Sequence, residues 1–413
     1  MNDVIIIGGG IAGCSLTHLL KEKKINTILI EKHCIGGLLK SIYFDKNSYC
    51  DLGPHILFLD KTNKKQVKNF FLQFSDLKII KPYAKTYPTG KLTNPHDYPI
   101  TQRNIQRWKN PSRMTLNVNK SPGEKTNSFE EYIINEIGQN LYLKYFKNHT
   151  KKFWGYDPHL ITGNWYAKKI TFPKKETPFF GQLETYYPTC KYSEIIQNMV
   201  DDRSVIHDEV IGFVYKGNKI LGVKTKKNGI INGKAFVNTI NPSTFVDTLN
   251  LKLNYRAIVI VAVLIELPPK TKLFEPYITW GYFPNHFSFT RIAEYSYLNP
   301  KTNNGRYLLT FEFPCFLKDS IWNKNDRWFR KYIESFFEDQ KLSTKILQIK
   351  IEKVEQAYPL PIFEELEKYN IIKKQFNRYH NLYNLGRIGT YNYIWMKDII
   401  IQAFEIAEKI VNR

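Results

Sequence analysis

The sequence predicts an α/β chain in which a parallel-sheet nucleotide domain carries a mainly helical insertion and sits beside a second, largely antiparallel sheet. Three observations point there: the first thirty-one residues read strand, glycine turn, helix, strand; a capping box at Ser128 opens a run of helical pattern; and residues 255–313 break into short strand-like runs. In the first stretch Val4, Ile5, Ile6 and Ile7 form an unbroken apolar run, as in a strand buried on both faces. Gly8, Gly10 and Gly13 then make GxGxxG, Leu16, Leu19 and Leu20 give the next helix a sheet-facing side, and a strand from Thr27 to Ile30 ends at Glu31. Gly8 permits the tight turn, Gly10 lets the backbone approach a pyrophosphate, and Gly13 lets helix and strand pack closely. The helix N-terminus presents free N–H groups to phosphate, and Glu31 stands where an acid accepts from ribose hydroxyls. This is a Rossmann-like dinucleotide unit that admits NAD or FAD; a glycine-rich turn in an ordinary βαβ unit is the alternative.

The chain has 413 residues, 43% hydrophobic and 15% aromatic, enough for a large core and two or more domains. Its longest apolar run, Ala257 to Ile265, is far short of the roughly 18 residues of a membrane span and reads as a buried strand. The N-terminus enters the first strand directly, so no targeting segment is expected and the expected location is cytoplasmic. Five scattered cysteines without a CxxC pair argue against a disulfide framework or a metal site. The net charge is +22, but only 12 of the 60 basic residues are Arg and the lysines are spread evenly. That pattern predicts no specific nucleic-acid partner, while a basic field helps draw in an anionic small molecule.

After Glu31, the paired Gly36 and Gly37 mark either a second close backbone approach or a plain turn. A hairpin follows around Asp45-Lys46-Asn47, then Gly53-Pro54-His55, a helix from Lys64 to Phe74, and short strands punctuated by Pro88, Gly90, Pro95 and Pro99. Asn104 to Thr126 reads as an irregular link. Ser128 with Glu131 caps a helix through Asn135, and a second helical stretch covers Leu141 to His149. Thr171 to Tyr187, rich in Pro, Gly and charge, predicts an exposed loop. A helix from Ser193 and strands at 204–206, 210–215, 219–225 and 234–239 return to the nucleotide domain. Strands at 258–267, 277–282, 288–292 and 307–313 form the second sheet, backed by an amphipathic helix from Asp326 to Asp339. A glycine turn, Gly386 to Gly389, leads to a last helix, Met396 to Val411.

Taken together, these residues resemble the flavin-dependent superfamily that includes UDP-galactopyranose mutase and its amine-oxidase-like and protoporphyrinogen-oxidase-like relatives. DVIIIGGGIAG with Glu31 resembles the FAD-binding start, and Ile35-Gly36-Gly37 matches a triplet found there. DLGPHILF is similar to the mutase GPHIF segment, which implies that His55 lies beside the isoalloxazine. The run ending KKFWG resembles YTEKxWG and implies that Trp154 meets substrate; FTRIAEY resembles YTRIIE and implies that Arg291 meets a diphosphate. AYPLP puts Tyr358 on the YP motif. GRIGTYNYIWM is similar to GRxxxYxYxxM, implying cofactor contacts from Gly386, Arg387 and Met396 and substrate contacts from Tyr391 and Tyr393. Val210 is given to the cofactor on the same basis. The implied FAD-binding domain is 1–85 with 190–250 and 380–413, the insertion 86–189 and the substrate domain 251–379.

The resemblance implies interconversion of pyranose and furanose forms of a nucleotide diphosphate sugar through N5 of reduced FAD, with NAD(P)H or another reductant as supplier of electrons. His55, Arg291, Tyr358 and Tyr391 would be catalytic, Arg291 through its bidentate fork. An ion pair of Arg291 with Glu294, and simple packing of the tyrosines, are the structural alternatives. The chain departs from the mutase pattern: near Ile170 to Pro173 only Lys168, Lys169, Lys174 and Lys175 stand where a second arginine is expected. Trp395 stands where an acid or amide precedes Met396. The functional alternatives are a true FAD oxidoreductase of the amine oxidase or protoporphyrinogen oxidase type and a flavin-free binding protein.

Overall fold

The structure is a computed structural model that describes residues 2–100, 128–163, 170, 183–246, 251–274, 278–299 and 306–412. The expected link Asn104 to Thr126, most of the loop expected from Thr171, and Lys168, Lys169, Lys174 and Lys175 lie outside the described residues.

The first sheet runs Val205–His207, Thr27–Glu31, Asn2–Ile7, Ile230–Asn238, all parallel, and continues antiparallel through Lys219–Thr225 and Val210–Lys216. Leu382–Asn384 adds in parallel to the end of Ile230–Asn238. Flanked on both sides, Val4 to Ile7 are at most 1% exposed, which is why that run carries no polar alternation. The Ile11–Glu22 helix buries Leu16, Leu19 and Leu20, and the final helix, Met396–Val411, joins the same core through Ile399, Ile400 and Ala403.

The second sheet runs Lys345–Pro359, Tyr255–Glu266, Arg306–Cys315, Arg291–Glu294, Ile278–Tyr282, Tyr83–Thr86, His96–Tyr98. Its pairings are antiparallel apart from Ile278–Tyr282 with Tyr83–Thr86. Two of these strands come from before residue 100, so sheet membership crosses the boundaries expected at 85 and 251. The central Tyr255–Glu266 strand sorts its apolar residues by period two. Val259, Val261 and Val263 join Phe329, Ile333, Phe336 and Phe337 of the Asp326–Asp339 helix, while Ile258, Ile260 and Leu264 join the core of the first domain. The same alternation puts Phe311 and Phe313 on the helix side and turns Glu312 the other way.

Three elements differ from expectation. The end of the loop expected through Tyr187 is a strand, Glu184–Pro188, held between Leu57–Leu59 and Leu77–Ile79. Its Thr185, Tyr186 and Tyr187 are β-formers and all buried, and that burial outweighs the Pro and Gly upstream. Lys345–Pro359 is a fifteen-residue edge strand of which only the YP end was singled out, because its outer positions are charged. The Phe363–Phe376 helix after it was likewise not expected.

Candidate functional site

The glycine turn makes a cradle at the carboxyl end of the parallel strands. A Cβ on Gly13 would lie 1.9 Å from the Gly8 carbonyl oxygen, so helix and turn meet at a distance only glycine permits. Gly10 faces open space, its nearest neighbour to an added Cβ being the Gly37 Cα at 3.9 Å, and Gly36 N–H donates to the Gly9 carbonyl at 2.8 Å. The paired glycines therefore close over the first turn. The Ile11–Glu22 helix has no side-chain cap and no acid in its first turn, leaving its N–H groups to an anion. Glu31 accepts from Gly9 N–H at 2.6 Å and His33 N–H at 2.8 Å, which fixes its carboxylate at the rim. Val210 packs in the cluster of Ile7 and Ile30 at the ends of the same strands. Gly386 presses on Ala12 of the first helix, where an added Cβ would be 2.6 Å from the Ala12 Cβ. That contact carries the Gly386–Gly389 turn, and Met396 at the head of the final helix, to the cradle side.

A cavity of about 160 Å³ opens between the second sheet and the helical insertion. Arg291, Glu312, Tyr282, Tyr358, Tyr393 and Trp395 line it together with the apolar Phe129, Phe146, Ile100 and Ile170 and with Tyr145. Arg291 and Glu312 are cross-strand partners. Arg291 donates to one Glu312 oxygen from Nε at 3.0 Å and from Nη2 at 2.6 Å, with its guanidinium 5.8 Å from the Trp280 ring. Burial opposes the charge on Arg291, but Glu312, together with Tyr282 and Tyr358, more than offsets it and the group stays cationic. The Arg387 guanidinium lies over Tyr393 at 4.6 Å and Tyr358 at 5.5 Å and donates to the Ile394 carbonyl at 3.1 Å. Burial, then the charges of Arg387 and Arg291, push His55 down to about 3, so its imidazole is neutral at pH 7. Burial raises the Tyr358 phenol, which stays protonated.

The Asn148–Trp154 helix supplies His149, Thr150 and Phe153 to the cavity. Burial, then Lys152 and Arg291, hold His149 down at about 3. Arg256, 4% exposed, fixes this helix from beneath by donating to the carbonyls of Phe153 at 2.8 Å, Lys152 at 3.0 Å and Pro314 at 3.0 Å. Lys152 donates to the Phe283 carbonyl and, at 2.9 Å, to that of Phe287, and burial brings its amine down to about 7.

Of the residues singled out in the sequence, Arg291, Tyr358 and Tyr393 meet in one cavity, with Arg387 against the two tyrosines. His55 does not line it but feels both arginines. Trp154 is fully buried, edge-on to Tyr358 at 6.0 Å and to Tyr393 at 6.4 Å, and does not line it either. Tyr391 is elsewhere: 2% exposed, its hydroxyl donates to the Asn254 carbonyl at 2.6 Å and accepts from Leu360 N–H at 3.2 Å. Its φ of +45° belongs to the turn that sends Tyr391 and Tyr393 to different places. The partner of Arg291 is Glu312, not Glu294. Glu312 is a site residue that no motif marks; its one signal in the sequence is an acid set between Phe311 and Phe313 in a largely apolar strand.

Asp51, four residues before His55 in the chain, is fully buried and accepts from the Tyr187 hydroxyl at 2.7 Å. Burial, only partly offset by Tyr187, raises its carboxyl to about 7. The folded state thus holds this proton more tightly than the unfolded chain, so stability is fullest below about pH 4 and falls as pH rises toward 7. Relative to Asp51→Asn, the wild type should lose up to about 4 kcal/mol across that window and level off above it. Parallel thermal melts from pH 4 to 8 check this, and a constant difference between the two proteins would refute it.

The family model of UDP-galactopyranose mutase matches residues 144–393, and that of the NAD(P)-binding Rossmann-like domain matches residues 6–74. The chain is 26% identical over 220 residues to the dTDP-fucopyranose mutase of Escherichia coli, covering 50% of this chain and 55% of that one. The solved structure of reduced UDP-galactopyranose mutase superposes with TM-score 0.82 at 16% identity, over 100% of this chain and 96% of that one. Cyclohexylamine oxidase from Brevibacterium oxydans superposes with TM-score 0.68 at 10% identity, over 100% and 99%. These two structures share its fold. The chain spans about half the length of the curated relatives it matches. Among the described residues no helix is long and apolar enough to cross a membrane.

Proposed function

The chain belongs to the UDP-galactopyranose mutase family, and from that premise we propose that it interconverts the pyranose and furanose rings of a nucleoside diphosphate sugar on a reduced FAD. The observation that carries this reading is the convergence of Arg291, Tyr358 and Tyr393 on one cavity, with Arg387 lying over both tyrosines next to the Gly386 that presses on the first helix. The cradle suits FAD: Gly10 leaves open space over free N–H groups for a pyrophosphate, and Glu31 stands at the rim for a ribose. Gly36, Gly37, Val210, Gly386 and Met396 would border the rest. Bound and reduced, the flavin would supply the electron-rich nitrogen that attacks the anomeric carbon.

The residues of the chain do the remainder. Arg291 and Arg387 offer cationic donors to the diphosphate, and among the described residues Arg387 has no carboxylate partner to compete for it. Tyr358, protonated at neutral pH, donates a hydrogen bond without giving up its proton, and the neutral His55 adds no further positive charge to those of Arg291 and Arg387. The aromatic walls exclude water while the glycosidic C–O bond is open. NAD(P)H or another reductant would keep the site active, and a cytoplasmic setting suits both.

The test is conversion of UDP-galactofuranose and dTDP-fucofuranose by the purified, FAD-loaded protein with and without dithionite. We expect ring interconversion only after reduction. Hydrogen peroxide release with oxidation of an amine or saturated carbon, and no interconversion, would replace the reading by that of an oxidase.

A further inference from the structure

We propose that Glu312 is a positioning residue: it holds the fork of Arg291 and sets the charge that a nucleoside diphosphate meets in the cavity, an inference that rests on the reading above. Glu312 stands opposite Arg291 in the antiparallel ladder, so sheet register delivers its carboxylate to the guanidinium. One carboxylate oxygen takes both Nε and Nη2 of Arg291, at 3.0 and 2.6 Å. The same oxygen is wedged against Gly53, where an added Cβ would come within 2.8 Å of it. Glu312 is 1% exposed, and its other oxygen is buried without a hydrogen bond. Such a carboxylate stays in place because the guanidinium requires it, and it leaves Nη1 and the second Nη2 hydrogen of Arg291 for a ligand.

The consequence is electrostatic as well as geometric. Arg291 and Glu312 sum to no net charge, so the pair offers directed hydrogen bonds to a phosphate with little added Coulombic grip. A leaving diphosphate that must return to the anomeric carbon gains nothing from being held equally tightly in every state, since uniform binding lowers the dissociation constant without raising the rate. Removing the negative charge while keeping the shape should therefore tighten ground-state binding and slow turnover.

Calorimetric titration of the FAD-loaded protein with UDP and with dTDP, alongside kcat and KM, tests this on Glu312→Gln and on the double variant R291A/E312Q. We expect E312Q to bind the diphosphate about threefold tighter or more while kcat falls about tenfold, with KM falling too. In the double variant, which leaves no unpaired charge, the gain in affinity should vanish. Affinity in E312Q within about twofold of wild type, or a gain that persists without Arg291, would overturn the role of Glu312 alone. A wild type that binds neither nucleotide would overturn the functional reading together with it.

Discussion

Arg291→Ala is expected to destabilise the protein by about 3–5 kcal/mol, because it leaves the carboxylate of Glu312 buried without its counter-charge. That carboxylate is 1% exposed and takes both of its charged hydrogen bonds from Arg291, so water cannot replace them in the folded state. The loss should appear as a lower midpoint in guanidinium chloride with an unchanged slope, since the fold exposes the same surface on unfolding. UDP affinity should fall in the same variant at temperatures where it remains folded. Equal midpoints for wild type and variant would mean that Glu312 is protonated or solvated and that the pair contributes nothing. A surface ion pair would predict that outcome, since exposed pairs contribute about 0–1 kcal/mol.

Gly13→Ala should have a comparable effect at the other end of the site. The new methyl would lie 1.9 Å from the Gly8 carbonyl oxygen, a backbone atom that cannot swing aside. Helix and turn must separate, at about 1–3 kcal/mol or more, and the N–H groups aimed at the pyrophosphate lose their convergence. Gly10→Ala provides the contrast, because its methyl meets nothing nearer than 3.9 Å. It should melt with the wild type yet carry far less FAD, since the methyl occupies the space through which the pyrophosphate approaches. Flavin absorbance per chain and thermal melts separate the two cases. A Gly13→Ala protein that retains FAD would show that the turn relaxes without cost.

The parts of the site that were legible in the sequence are those whose geometry is local. GxGxxG, the following helix and Glu31 lie in one short contiguous stretch, and each glycine answers a steric demand set by its immediate neighbours. The Asp326–Asp339 helix could be read to its last residue because its apolar residues recur at a 3.6-residue period with no competing pattern. The edge strand Lys345–Pro359 could not, because its charges face solvent and only its pairing with Tyr255–Glu266 makes it a strand.

The sequence by itself determined the α/β class, the dinucleotide cradle and the identity of Arg291, Tyr358, Tyr393 and Arg387 as residues worth watching. Tertiary structure decided what each of them touches. Glu294, three residues along the strand from Arg291, falls on the opposite face because side chains alternate, whereas Glu312, twenty-one residues away, is brought alongside by the ladder. The turn at Tyr391 likewise commits that hydroxyl to Asn254 and leaves Tyr393 to the cavity. Distances along the chain say nothing about such pairings until strand register and turn geometry are set, and both are fixed by packing between segments far apart in sequence.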